Sequence, residues 1–178
     1  MRDVQVLSPM HKGEAGTQAL NEALRARLNP SGPTVVRGNA FFRQGDRVLQ
    51  TKNNYEKDVF NGDLGHVAAA DPEEGSLVVS FDGRDVTYDR TELDELAPAY
   101  AVSIHKSQGS EYPAVVAPFL TQHYVMLRRN LIYTALTRAR KLAVLVGSRR
   151  ALTLGLKNAG GERRYTHLNY RLRELFNV

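Results

Sequence analysis

The spacing of apolar positions changes several times along this chain, and each change marks a candidate element. Val4 to Leu7 is a short aliphatic and β-branched run closed by Ser8-Pro9, which predicts a buried strand. From Glu14 to Leu28 the apolar positions Ala15, Ala19, Leu20, Ala23, Leu24 and Leu28 recur at helical spacing. The run Asn29-Pro30-Ser31-Gly32-Pro33 then stops that helix. Between Phe41 and Pro98 the period falls to two. Residues 46–50, 65–68, 77–81 and 86–88 read as short strands, with turn signals at Asn61-Gly62-Asp63 and Asp82-Gly83-Arg84. Short strands joined by tight turns in so small a span predict a barrel of SH3-like size. After Pro98 longer elements return: an apolar strand over 114–119, a helix over 128–140, a continuous buried strand over 142–147, and closing helices over 149–156 and 168–176. The order is that of an α/β layered domain interrupted by a small β unit.

Composition narrows the setting. The 178 residues are 42% hydrophobic, enough for the core of one ordinary domain with a small insertion. Cysteine is absent, which excludes disulfides and thiolate metal sites and fits a reducing compartment. No apolar run approaches the ~18 residues of a membrane span, and the N-terminus lacks a signal-peptide pattern. A cytoplasmic location without a membrane partner is therefore expected. The net charge of +5 is unevenly spread. Asp and Glu crowd the segment from Glu56 to Glu95, whereas none occurs between Glu111 and Glu162, a stretch holding Arg128, Arg129, Arg138, Arg140, Lys141, Arg149 and Arg150. That basic end suits the phosphates of nucleic acid or nucleotide, or else forms a solvated basic face.

Two segments carry candidate chemistry. Ile104-His105-Lys106-Ser107-Gln108-Gly109-Ser110-Glu111 places a cation, two hydroxyls, an amide, a glycine and a carboxylate in one loop ahead of a buried strand. Gly109 would let backbone N–H groups approach a ligand, and the polar side chains suit phosphate or ribose oxygens; an ordinary polar turn has the same composition. The second segment runs from Asn130 to Arg140. On a helix, Asn130, Thr134 and Arg138 fall at i, i+4 and i+8, one polar row beside an apolar face. The planar fork of Arg138 suits phosphate oxygens at a domain boundary; the alternative is a surface salt bridge, which the lack of nearby acids disfavours.

Together these segments resemble a family. The run from Ile104 to Val116 looks like motif V of the superfamily 1 helicases, and the run from Asn130 to Gly147 looks like their motif VI. His105 to Glu111 is most similar to the RecD branch, which moves 5′ to 3′ on single-stranded DNA. Val4 to Arg25 resembles that branch's motif IV region, and Gly45 to Gly65 is similar to the start of its SH3-like insertion, so the resemblance extends from about Val4 to Gly147. It implies an α/β fold: a RecA-like parallel-sheet domain over 1–38 and 98–178, with a small SH3-like β-barrel inserted over 39–97. It also implies a part in an ATP-dependent DNA helicase of repair and recombination. By the same resemblance Arg138 is the catalytic arginine that reaches the γ-phosphate, and Gly109 and Glu111 lie near the nucleotide, Glu111 as a partner of the ribose hydroxyl. Lys12 becomes a further phosphate candidate, and His105, Lys106 and Ser107 face the phosphates of single-stranded DNA. Tyr100 and Tyr133 read as core tyrosines ahead of base-stacking platforms.

Some expected parts are missing from the sequence. No Gly-x-x-x-x-Gly-Lys-[Ser/Thr] occurs, and there is not even a Gly-Lys dipeptide. Asp94-Glu95 follows a polar stretch and reads as a solvated turn where a Walker B pair would need an aliphatic strand. The expectation is a C-terminal portion of a longer polypeptide, inactive alone. It would have no metal site and bind no cofactor by itself, because ATP and Mg²⁺ belong to the complete protein. Expected partners are single-stranded DNA, the N-terminal RecA-like domain of the same polypeptide, and a possible protein partner for the barrel. Two alternatives share these features: a non-catalytic nucleic-acid or protein-binding module, and the helicase portion of a conjugative relaxase.

Overall fold

In the computed structural model, which describes residues 3–38, 40–158 and 167–176, two kinds of sheet are built from one chain. The elements in order are β1 (Val4–Ser8), α1 (Thr17–Leu28), β2 (Thr34–Arg37), β3 (Ala40–Arg43), β4 (Arg47–Gln50), β5 (Leu64–Asp71), β6 (Ser76–Phe81), β7 (Arg84–Tyr88), β8 (Leu96–Pro98), β9 (Ala101–Ser103), β10 (Tyr112–Phe119), α2 (Arg129–Leu136), β11 (Ala139–Gly147), α3 (Arg149–Lys157) and α4 (Leu168–Phe176). Short 3-10 turns lie at Leu93–Glu95 and Thr121–His123.

The first sheet is parallel throughout, in the order β11-β10-β1-β9. Parallel neighbours need crossover connections. The one from β1 to β9 carries α1 and the whole antiparallel unit, and the one from β10 to β11 carries α2. One face of this sheet presents Leu7, Val102, Val115, Ala117 and Phe119 to Leu127, Leu131, Ile132, Ala135 and Ala151 of the covering helices and the turn before them. Among the described residues, the other face is exposed along β11. The register sets Val4 beside Ala114, Ala114 beside Leu142 and Val116 beside Val144, yet Leu142 is 55% and Val146 50% exposed.

The antiparallel sheet, β7-β6-β5-β4-β8, and the β2–β3 ribbon together enclose a separate core. Val35, Phe42, Val48, Val67, Leu77, Val79 and Tyr88 fill it, as the period-two pattern requires. This is the small SH3-like barrel, carried on a RecA-like parallel sheet. Strands β2, β3, β8 and β9 had no reading in the sequence, being only three or four residues each.

Two helices depart from their sequence reading. In α1 the buried residues are Thr17, Asn21 and Arg25, while Leu20 and Leu24 are half-buried and Leu28 is exposed. The polar row faces inward because it has partners there. Asn21 donates to the Ala101 carbonyl at 2.8 Å and accepts from the Ala101 N–H at 2.9 Å, which satisfies the free edge of β9. Arg25 pairs with the fully buried Asp46 at 3.1 Å. Asp46 also accepts from Asn29 at 2.8 Å, from the Tyr100 hydroxyl at 2.9 Å and from the Arg43 N–H at 3.0 Å. A buried carboxylate is tolerable only with such a full set of donors, and this set joins the barrel to the parallel-sheet layer. The second departure is α2, which ends at Leu136, so Arg138 and Arg140 are not helical. The chain must turn there to enter β11, and the Arg138 carbonyl already accepts from the Tyr112 N–H at 2.8 Å.

Candidate nucleotide and strand-binding site

The loop after β9 is shaped by its own backbone. Its N–H groups at Ser107, Gln108 and Ser110 donate to the carbonyls of Ser103, His105 and Ser107 at 3.1, 3.2 and 3.1 Å. Ser107 is fully buried, and its hydroxyl donates to the Ile104 carbonyl at 2.7 Å. The loop then reverses at Gly109, whose φ of +88° is a left-handed conformation that other residues adopt with strain. These internal bonds leave His105, Lys106, Gln108 and Gly109 exposed along the outside of the turn. Of the three candidate strand contacts, therefore, two are at the surface, and Ser107 holds the loop from within.

Arg138 sits one residue beyond the C-cap of α2 and ties that helix to the loop. Its Nη1 donates to the Ser110 carbonyl at 3.0 Å, its Nε to the Thr134 carbonyl at 3.3 Å, and its Nη2 to the Thr137 hydroxyl at 3.3 Å. The side chain is half-buried and, among the described residues, meets no carboxylate, so the salt-bridge alternative left open by the sequence has no partner here. Glu111 lies close by in the chain but is exposed and ion-paired to Arg140 at 2.9 Å. Burial raises the pKa of Tyr112, opposed by a hydrogen bond with Ser110 and by the charges of Arg47 and Arg138.

A cleft of about 230 Å³ opens where the loop meets α2, lined by His105, Gln108, Met126, Arg128, Asn130, Leu131 and Thr134. Gln108 and Arg128 were not singled out as site residues in the sequence; the signal for Arg128 was its place in the acid-free basic stretch. Lys12 is exposed on the β1–α1 turn, away from this cleft. That turn is tight: a side chain at Gly16 would bring Cβ within 2.5 Å of the Lys12 backbone. Tyr100 is a core tyrosine as read, bound to Asp46, with its pKa pushed up to about 12 chiefly by burial. Tyr133 is not a core residue, being 67% exposed on the outer face of α2. Among the described residues, no group of three His, Asp or Glu is close enough to hold a metal ion.

Residues 98–146 match the family described as the UvrD-like helicase C-terminal domain, and residues 20–81 match the ATP-dependent RecD-like DNA helicase SH3 domain. The ATP-dependent RecD2 DNA helicase of Deinococcus radiodurans is 46% identical over 147 residues, which cover 82% of this chain and 20% of that protein. The chain belongs to the RecD-type superfamily 1 helicases. Within that family it corresponds to the portion carrying the UvrD-like C-terminal and SH3 domains. The RecBCD enzyme subunit RecD of Haemophilus influenzae is 30% identical over 138 residues, 78% of this chain and 20% of that one. The chain thus spans about a fifth of the length of these two relatives. Bacteroides Pif1 helicase, solved with ADP-AlF3 and single-stranded DNA, shares the fold with a TM-score of 0.59 at 18% identity, covering 97% of this chain and 45% of Pif1. A second Pif1 structure, from work on forked double-stranded DNA, gives a TM-score of 0.61 at 18% identity and covers 99% and 45%.

Proposed function

We propose that this chain is the arginine-donating and strand-gripping part of an ATP-dependent 5′→3′ DNA helicase. The observation that carries the reading is the Arg138 guanidinium, fixed by two carbonyls and a hydroxyl with, among the described residues, no carboxylate to neutralise it. A half-buried cation held in place by neutral oxygens keeps its full charge for an incoming anion. Spread charge on a transferring phosphoryl group is stabilised by such a pre-positioned donor, an effect worth ~10³-fold or more in rate. The phosphate loop that would hold ATP and Mg²⁺ is absent from this sequence, so the cation serves a nucleotide bound by another domain. ATP with its metal supplies the phosphoryl chemistry there. This chain's residues orient and polarise: Gly109 gives close backbone approach, Glu111 is the ribose partner once released from Arg140, and Lys12 is a more distant phosphate contact. His105 and Lys106 take phosphates of the single strand, while Ser107 keeps their loop in shape. Closure of the cleft between the two motor domains would then couple Arg138 to the grip at Lys106.

The test is phosphate release in the presence of single-stranded DNA. In a polypeptide that includes the phosphate-loop domain, Arg138→Ala should lower kcat by ~10³-fold with little change in KM for ATP. The 178-residue chain alone should release no phosphate. Turnover by this chain comparable to that of a complete motor, lost on Arg138→Ala, would overturn the reading.

A further inference from the structure

We infer that Arg140 acts as a latch on Glu111, withholding its carboxylate until a ribose hydroxyl displaces the guanidinium. Arg140 thereby sets how far the site prefers a ribonucleoside triphosphate to one whose sugar has no hydroxyls. The inference rests on the reading of Glu111 as the ribose partner and adds a control to it. Two arginines around the start of β11 hold two adjacent residues of the loop. Arg138 gives Nη1 to the Ser110 carbonyl at 3.0 Å, and Arg140 gives Nε to Glu111 Oε2 at 2.9 Å. The register causes this, because it sets Tyr112 of β10 beside Ala139 of β11.

The two contacts differ in kind. The partner of Arg138 is neutral, whereas Arg140 meets a carboxylate. Among the described residues, Arg128, Lys141, Arg149 and Arg150 have no carboxylate within pairing distance. Arg140 alone of this set has an acid, and that acid is the proposed sugar contact. The hold is also easy to open. It uses one nitrogen and one oxygen where a guanidinium and a carboxylate can form a paired fork. The two side chains are 65% and 52% exposed, and an ion pair so exposed costs at most about fivefold in affinity to break. Glu111 borders a groove of about 790 Å³ between the parallel-sheet layer and the barrel, with Tyr112, Pro113 and Asp82 in its walls. Arg140 is not in that wall, so the groove gives a sugar hydroxyl a route to the carboxylate that the guanidinium does not line.

KM for ATP and for 2′,3′-dideoxy-ATP, measured in a polypeptide that includes the phosphate-loop domain, tests the latch; their ratio is the sugar preference. Arg140→Ala should lower KM for ATP about threefold and leave the dideoxynucleotide unchanged, which raises the preference about threefold. Arg140→Lys keeps an ion pair and should keep the preference of the unaltered protein. Higher ionic strength should raise the preference in the unaltered protein and not in Arg140→Ala, because salt screens the pair. Glu111→Ala should abolish the preference. If it does so while Arg140→Ala changes nothing, the latch is refuted and the ribose contact stands. A rise in KM for both nucleotides alike with Arg140→Ala would also overturn the latch, because Arg140 would then serve the phosphates. If Glu111→Ala leaves the preference intact, both readings fall.

Discussion

Around the barrel, acids meet their partners within the barrel: Lys57 holds Glu92 at 2.5 Å, and Lys52 and Arg37 hold Asp94 at 2.8 and 3.3 Å. The pKa of Asp94 is lowered mainly by its hydrogen bond from Lys52. The parallel-sheet layer is different. Among the described residues, Arg128, Lys141, Arg149 and Arg150 have no carboxylate within pairing distance, and one face of the sheet is an uncovered stripe of Leu142, Val144 and Val146. Glu92 and Asp94 of the barrel are thus paired within it, while among the described residues the layer leaves these cations unpaired and the Leu142, Val144 and Val146 stripe exposed. An acidic insertion in a basic protein need not be a partner-binding surface. Glu92 and Asp94 are ion-paired within it, and Glu95 accepts from Gln50 and Asn54.

This contrast can be broken at the joint. Asp46→Ala removes the acceptor shared by Arg25, Asn29, Tyr100 and the Arg43 N–H and leaves a buried cation unpaired. A loss of about 3–5 kcal/mol is expected in urea denaturation. The barrel should then unfold in a transition separate from the layer; a single transition with a loss below about 1 kcal/mol would refute the joint. The open face is tested by one substitution made twice. Val79→Thr buries a hydroxyl in the barrel core and should cost about 1–3 kcal/mol, whereas Val144→Thr on the open face should stay within about 0.5 kcal/mol. Equal losses would mean that the face is covered in solution.

Alkaline pH acts on both regions more gently. Tyr100 at the joint has its pKa pushed up to about 12, and burial pushes Tyr88 of the barrel still higher. The unfolded chain releases these protons near pH 10, so above that pH it binds fewer protons than the folded chain. Stability contributed by the neutral phenols is therefore complete below pH 10 and declines as pH rises toward 12. A denaturation midpoint that stays flat from pH 9 to 11.5 would contradict the burial of both hydroxyls.

Most of the architecture was legible because period and turn chemistry are local. The strands from β4 to β7, β10 and β11 all carried a run of apolar or alternating residues. Strand β9 was not legible: Ala101–Ser103 is a strand only because β1 pairs with it and Asn21 satisfies its outer edge. The inward face of α1 was misread for the same reason, since the partners of Asn21 and Arg25 lie far along the chain. Within the candidate site, Arg138 and Gly109 were singled out through the motifs they resemble. The burial of Ser107 was not, because a hydroxyl next to Lys106 looks like a ligand contact until the Ile104 carbonyl is found beneath it.

The place of β1 also bears on the order of assembly. It lies in the middle of the parallel sheet, with Val4 registered against Ala114 and Val6 against Ala101, whereas the barrel strands pair mostly with their immediate successors. Contacts so distant in the chain close slowly, and nearby hairpins close early. On the ribosome, β1 is made before the barrel, and its neighbours β9 and β10 only after it. The inserted barrel therefore acts as a spacer in time, ready folded when β9 and β10 arrive on either side of a strand made before it.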